Sequence, residues 1–347
     1  MKVLIVKLSA FGDIIHALPA LDDLLDNPAV SSVHWLIDSR FGFVSDIFPE
    51  QVKVHKVALK GDQPFRHAWD MIQLLRQEQF DYIFDLQGLI KSGLMARASL
   101  ISPARLLGFD KTQSPEYPNR WLVEPVSFHP DEKHVVQIYR RIVHAMTQAE
   151  NISAVPETAI EYRPPSVRVD KHMVQLGSQW LAMRNWESPG LPLTIIHVGG
   201  SYATKRMHDM QWRVLLEKLT PQSRLLILWG SEEEQLRARR IAHDMSNTLV
   251  ADAVLSLSTL AGLFGHASAY IGQDTGVTHL AAACACPSVT LWGPTAPWRM
   301  GPQGPQCRDI SAHIACAPCF SRQCKRFICM PSIASDAIIR AWQEIHR

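Results

Sequence analysis

No run of apolar residues in this 347-residue chain approaches the roughly 18–20 that a membrane-spanning helix needs. There is no G-x-G-x-x-G and no G-x-x-x-x-G-K-S/T, so dinucleotide oxidation and P-loop chemistry lose their main sequence support. Net charge is only +2, which leaves no general nucleic-acid footprint. Basic residues gather only locally, at Arg97, Arg105, Lys111 and Arg120, at Arg140 and Arg141, and at Arg237, Arg239 and Arg240. The plain reading of each group is a solvated face; the sharper one is an anionic partner. No signal peptide is evident: the first apolar run is broken by Lys7 and Asp13, with no small-residue cleavage site after it. A cytoplasmic protein is expected, with any contact at the inner membrane peripheral. No long-period repeat and no low-complexity tract occurs.

What is present describes a soluble globular protein, with 47% apolar and 20% charged residues. The length implies two domains, each able to bury its own core. Short apolar strands alternate with helical patterns. In the first half, 2–8, 33–37, 52–58, 80–86 and 104–109 read as strands, and 13–27 and 65–79 as helices. Pro19 inside the first helical pattern predicts a kink or a split. The proline-bearing stretch 156–165 reads as a linker. Beyond it, 193–198, 224–229, 268–272 and 288–292 read as strands, and 209–219, 234–245 and 275–284 as helices. Such alternation predicts an α/β fold with parallel sheets, as two Rossmann-like doubly wound domains facing a cleft. The expected limits are 1–160 and 166–330, with a helix at 331–347 packing back toward the first domain.

In doubly wound sheets, ligands bind beyond the carboxyl ends of the strands. Four loops there carry chemistry. The first, "SAFGD", puts Asp13 directly after Gly12 and ahead of a helix. Asp13 reads either as a helix-start cap, worth about 1 kcal/mol, or as a general base, worth about 10²–10⁴-fold in rate. The second, "HVGGSYATKRMHDMQW", joins Gly199, Gly200 and Ser201 to Lys205 and Arg206. Glycines let backbone N–H groups approach an anion and lysine adds a point charge, so this loop leans toward phosphate. The third, "WGSEEEQ", opens a helix with acids, which the macrodipole favours by itself. Its sharper reading is a carboxylate for ribose hydroxyls. In the fourth, Asp274, Thr275 and Gly276 lie between a strand and a helix N-terminus, whose N–H groups make an anion seat. His279, one turn on from Thr275, faces the same space.

Together "VKLSAFGDIIHALPAL", "FDLQGLIKSG", "WGSEEE", "DTGVTHLAAA" and "VTLWGPTAP" resemble the ADP-heptose:lipopolysaccharide heptosyltransferases, glycosyltransferase family 9 of the GT-B fold. The resemblance spans nearly the whole chain, and its first stretch is most like heptosyltransferase I. It implies inverting transfer of L-glycero-D-manno-heptose from ADP-heptose to Kdo, on a Kdo-lipid A type acceptor, without a metal cofactor. It further implies a first domain that holds the acceptor. There Asp13 is the base, Lys7 lies near the reacting groups, and Ser9, Gly12, Gln87 and Lys91 are on the acceptor side. In the second domain Lys205 neutralises the departing ADP, and Thr275 and Gly276 hold the diphosphate. Asp274 and His279 contact heptose or phosphate, and Glu234 takes the ribose. Gly199, Gly200, Ser201 and Arg206 complete the donor loop. Two departures stand out. Ala10 occupies a position where a hydroxyl residue is usual, and Gly199 and Gly200 replace hydroxyl residues. Transfer to another acceptor, or nucleotide-sugar binding without catalysis, are the competing expectations.

Seven cysteines in a reducing compartment argue for thiols or metal ligands before disulfides. Cys316, Cys319, Cys324 and Cys329 are spaced C-x₂-C-x₄-C-x₄-C. One reading is a structural zinc or iron held by four thiolates; the other, which the lack of intervening glycines favours, is free thiols. Cys284 and Cys286 read as core residues and Cys307 as a loop thiol.

Overall fold

The computed structural model describes residues 1–147, 152–186 and 190–346. The chain divides into two compact units, Met1–Pro165 and Ser166–Arg347.

The first unit runs β1 (Lys2–Val6), α1 (Phe11–His16), α2 (Leu18–Leu25), β2 (Ser32–Asp38), β3 (Val52–Val57), α3 (Pro64–Glu78), β4 (Tyr82–Asp85), α4 (Ile90–Ser99), β5 (Arg105–Phe109), β6 (Glu124–Val126) and α5 (Val135–His144). Its six parallel strands stand in the order β3-β2-β1-β4-β5-β6. Val3, Leu4, Ile5 and Val6 of β1 are buried on both faces, which is why the strand reads as an unbroken apolar run. The single helix expected over 13–27 is two helices, parted at Ala17. Pro19 stands in the first turn of α2, where its missing N–H costs nothing.

The stretch read as a linker is strapped to the first unit. Arg163 pairs with Asp23 at 2.9 Å, and Arg140 and Arg141 donate to the carbonyls of Glu161 and Thr158 at 2.6 Å each. The Glu161 and Thr158 carbonyls thereby find partners where no strand or helix supplies them.

The second unit runs α6 (Lys171–Ala182), β7 (Leu193–His197), α7 (Asp209–Leu219), β8 (Arg224–Leu228), α8 (Glu232–Ile241), β9 (Thr248–Val250), α9 (Leu257–His266), β10 (Ala269–Gln273), α10 (Gly276–Ala283), β11 (Ser288–Trp292), α11 (Pro297–Met300), β12 (Cys307–Ser311) and α12 (Ser335–Ile345). The sheet order is β12-β11-β10-β7-β8-β9, again parallel. The last helix, α12, packs on α7, β11 and β12 of its own unit. Ile338, Ala341, Trp342 and Ile345 form its buried stripe, and Trp342 Nε1 donates to Thr194 Oγ at 3.0 Å. The stripe follows helical spacing, so it fixes a buried face without naming the partner. Cys307 opens strand β12 rather than lying in a loop.

Candidate active site

Each sheet has one point where the chain reverses its direction of winding. In the first it lies between β1 and β4, in the second between β7 and β10. Loops from two adjacent strands splay apart there and leave a crevice. The residues singled out from the sequence gather at these two points.

After β1, Asp13 is the third residue of α1, and its Oδ2 accepts the Ala10 N–H at 3.2 Å. The capping role is therefore real, while the carboxylate stays partly exposed. Gly12 precedes it in the same helical turn. After β4, the Gln87 side-chain carbonyl accepts the N–H groups of Leu8 and Ser9, both at 3.0 Å. Gln87 thus holds the Asp13 loop from the neighbouring strand. Lys91 is exposed in the first turn of α4.

Lys7 is buried beneath this loop. Its Nζ donates to the Leu86 carbonyl at 3.0 Å and to Tyr139 Oη at 2.8 Å, and lies 4.7 Å from the Tyr139 ring centre. Burial pushes the ammonium below the ordinary lysine range, and the charges of Asp13 and Asp85 pull against it. Asp85 is itself buried. Its carboxylate accepts from the N–H groups of Gln87 and Gly88 at 3.0 and 3.1 Å, Ser92 Oγ at 3.1 Å and Asn119 Nδ2 at 2.7 Å. This hub fixes the β4–α4 turn, and hence Gln87. Tyr139, Asp85 and Asn119 were not singled out from the sequence. Tyr139 lies 132 residues from Lys7, beyond the reach of any local pattern.

The second unit builds the stronger constellation. Lys205 Nζ donates to Asp274 Oδ2 at 2.6 Å and to the Asp274 carbonyl at 3.2 Å. Asp274 Oδ1 and His279 Nε2 are hydrogen-bonded at 3.2 Å. All three side chains are buried. Burial alone would raise the Asp274 carboxyl, but the His279 hydrogen bond and the Lys205 charge outweigh it and hold it well below the usual carboxylate range. Thr275 stands at the N-cap position of α10 without a side-chain capping bond, and the start of that helix, Gly276 and Val277, is partly exposed beside the constellation. The Thr275 hydroxyl lies 3.3 Å from His197 Nδ1, at the end of β7. Burial lowers His197 to about 4, against the pull of Glu234, so the imidazole is neutral at physiological pH.

Of the three acids that open α8, Glu232 and Glu233 are exposed and Glu234 is buried. The Glu234 carboxylate accepts the Gly200 N–H at 3.1 Å and the Gly230 N–H at 2.8 Å. A Cβ at Gly199 would lie 2.5 Å from both carboxylate oxygens. The close approach of this acid explains the glycine where a hydroxyl residue was expected. Arg206 Nε donates to the Gly200 carbonyl at 3.0 Å and its Nη1 pairs with Glu233 at 2.7 Å. Ser201 stands exposed farther along.

Arg237 clamps both ends of this loop and was read from the sequence only as part of a basic run. Its Nη1 donates to the Val198 carbonyl at 2.7 Å, its Nη2 to the Met207 carbonyl, and its Nε to Asp209 Oδ1 at 2.5 Å. Arg237→Ala removes charge-assisted bonds worth together about 2–3 kcal/mol. The expected result is an unfolding midpoint lowered accordingly, because the loop that carries Lys205 loses its anchors at both ends. Scanning calorimetry checks it.

The four clustered cysteines line one cavity of about 310 Å³, together with Thr204, Lys325 and Arg326. Cys316, Cys319 and Cys324 are exposed and Cys329 is buried. Among the described residues, no group of three or more His, Cys, Asp or Glu side chains is disposed to hold a metal ion. The C-x₂-C-x₄-C-x₄-C spacing thus brings the thiols to one cavity without a ligand set. Cys284 and Cys286 are buried as expected, and burial pushes the Cys284 thiol up to about 12.

Among the described residues, no helix is long and apolar enough to cross a membrane. Residues 68–327 match the model of glycosyltransferase family 9 (heptosyltransferase). The chain is 29% identical to lipopolysaccharide heptosyltransferase 1 of Pseudomonas aeruginosa, over 93% of this chain and 87% of that protein. Its fold is like that of E. coli heptosyltransferase WaaC with ADP-2-deoxy-2-fluoro heptose (TM-score 0.71, 22% identity, 99% of each chain covered). It is also like that of E. coli ADP-heptose lipopolysaccharide heptosyltransferase II, with a TM-score of 0.76 and 17% identity over 100% of this chain and 98% of that one. With the two doubly wound units of the GT-B fold, the chain belongs to glycosyltransferase family 9 and is a glycosyltransferase of the heptosyltransferase type.

Proposed function

We propose that this enzyme transfers L-glycero-D-manno-heptose from ADP-heptose to a Kdo hydroxyl of the lipopolysaccharide inner core, with inversion. The acceptor oxygen forms a bond to the anomeric carbon as the bond from that carbon to the diphosphate breaks. The acceptor proton passes to the Asp13 carboxylate, and ADP leaves with the bonding pair. Lys205 and the first-turn N–H groups of α10 offset the charge that grows on the diphosphate. Asp274 and His279 hold Lys205 in place and face the sugar. Glu234 takes the ribose hydroxyls, and Ser9, Gly12, Gln87 and Lys91 serve the acceptor.

The observation that carries this reading is the separation of charge. A partly exposed carboxylate stands at the reversal point of the first sheet, and a buried lysine beside a helix N-terminus at that of the second. A base suits an incoming alcohol, and a cation with N–H donors suits a diphosphate. The heptosyltransferase 1 relatives and the neighbour with a bound ADP-heptose analogue support the choice of sugar and nucleotide. The proposed place of work is the cytoplasmic face of the inner membrane. The cysteine cavity stands outside this chemistry.

The test is incubation with ADP-heptose and Kdo-lipid A. The expected result is ADP release matched by a lipid product heavier by one heptose. Binding of ADP-heptose without turnover on this acceptor contradicts the reading.

A further inference from the structure

The first unit leaves large apolar side chains on its surface in a pattern that a packed core does not explain. In a parallel sheet every strand-to-helix connection leaves from the carboxyl edge. α3 and α4 therefore begin on the edge that carries Asp13, and the 3₁₀ turn Tyr117–Trp121 follows β5 on that same edge. Their exposed residues are Phe65 and Trp69 in the opening turns of α3, Ile90 and Leu94 on α4, and Tyr117 and Trp121 on the turn. Phe65 is 89% exposed, Trp69 62% and Trp121 69%. The pieces are contiguous. α3 packs on α4, and α4 meets the turn so closely that a Cβ at Gly93 would lie 2.5 Å from Asn119 Nδ2.

Cations stand among these apolar side chains. Arg120 stacks over the Tyr117 and Trp121 rings, 4.0 and 5.3 Å from their centres. Lys91 and Lys111 are exposed. Of the nearby acids, Glu116 accepts the Ile90 N–H at 2.7 Å and Asp110 accepts the Thr112 N–H at 2.8 Å, while Asp62 and Asp70 are exposed by the start of α3, Asp70 at 3.9 Å from Arg66. Lys91 and Lys111 thus face outward beside tryptophan, tyrosine and aliphatic side chains. That pairing of apolar bodies with outward cations is what an anionic bilayer surface selects.

We infer that the edge formed by the starts of α3 and α4 and the Tyr117–Trp121 turn docks on an anionic lipid surface. The aromatic and aliphatic side chains enter the boundary between headgroups and acyl chains, and Lys91, Lys111 and Arg120 meet the lipid phosphates. The inference rests on the proposed lipid-borne acceptor only for its biological setting. Docking on this edge brings the Asp13 loop to the membrane plane, where such an acceptor presents its sugar.

Co-sedimentation tests it with vesicles of equal parts phosphatidylcholine and phosphatidylglycerol, against pure phosphatidylcholine. Wild type is expected to bind the anionic vesicles, less so in high salt. The double variant Trp69→Ser, Trp121→Ser is expected to bind about tenfold more weakly or worse, with an unchanged unfolding midpoint and unchanged ADP affinity. The single variant Trp298→Ser, at another exposed tryptophan on the second unit, is expected to bind as wild type does. Three results overturn the inference. They are a wild type that ignores both vesicle types, one that binds both equally, and a double variant that binds as wild type does. Vesicle binding together with failed heptose transfer leaves this surface standing and removes the proposed acceptor alone.

Discussion

Asp13→Asn is expected to abolish heptose transfer while ADP-heptose still binds within about twofold of wild type. The substitution is chosen for what it retains. The asparagine carbonyl can still accept the Ala10 N–H that Asp13 Oδ2 accepts at 3.2 Å, so the start of α1 keeps its cap. What disappears is the negative charge and the capacity to take a proton. A positioned base contributes about 10²–10⁴-fold, so single-turnover rates should fall by about that factor. Asp13→Ala removes the cap as well, which adds about 1 kcal/mol of destabilisation. The two variants separate the roles. If Asp13 only caps, Asp13→Asn transfers heptose at near wild-type rate and Asp13→Ala is merely less stable.

Lys205→Ala carries the second large expected effect. The lysine is buried, 2.6 Å from Asp274 Oδ2, at the reversal point of the second unit's sheet. Loss of one preorganised group facing developing negative charge costs about 10²–10³ in turnover. Affinity for ADP falls too, because the ground-state diphosphate already carries charge. A stability effect accompanies this, since Asp274 keeps only His279 among the two side-chain partners described. Removing one member of a buried pair costs about 3–5 kcal/mol. The pH dependence gives its signature. Asp274 is held below its unfolded value near 4. Its ionisation therefore stabilises the fold above that value, and the contribution fades as pH falls toward the folded one. The stability deficit of Lys205→Ala should be full at neutral pH and shrink in acid. A deficit independent of pH would assign the lysine to packing instead.

Much of this molecule is legible in its sequence, for a physical reason. The strands at the two reversal points, β1, β4, β7 and β10, are buried on both faces, so they appear as short apolar runs bounded by turn residues. The candidate residues follow those runs directly, so finding the strands finds the loops. Three of the four edge strands are harder. β6 and β9 have three residues each, and β12 reads Cys-Arg-Asp-Ile-Ser with no residue fully buried. Neither periodicity nor composition marks them. Residues that support the site from afar are harder still. Tyr139 under Lys7, Asn119 on Asp85 and Arg237 across the 199–206 loop come together only through the fold. The choice of Glu234 over its two neighbours comes from the family resemblance and not from the local pattern of three acids. One turn of helix decides which acid points inward, and Gly199 makes the room for it.

The division of tasks between the two units is most directly tested by amide hydrogen exchange with and without ADP. Slowed exchange is expected over 199–206 and at Thr275, Gly276 and Val277, with no change over 8–13. Slowed exchange over 8–13 and 86–91, with 274–279 unaffected, would place the nucleotide on the first unit and contradict the role given to Asp13.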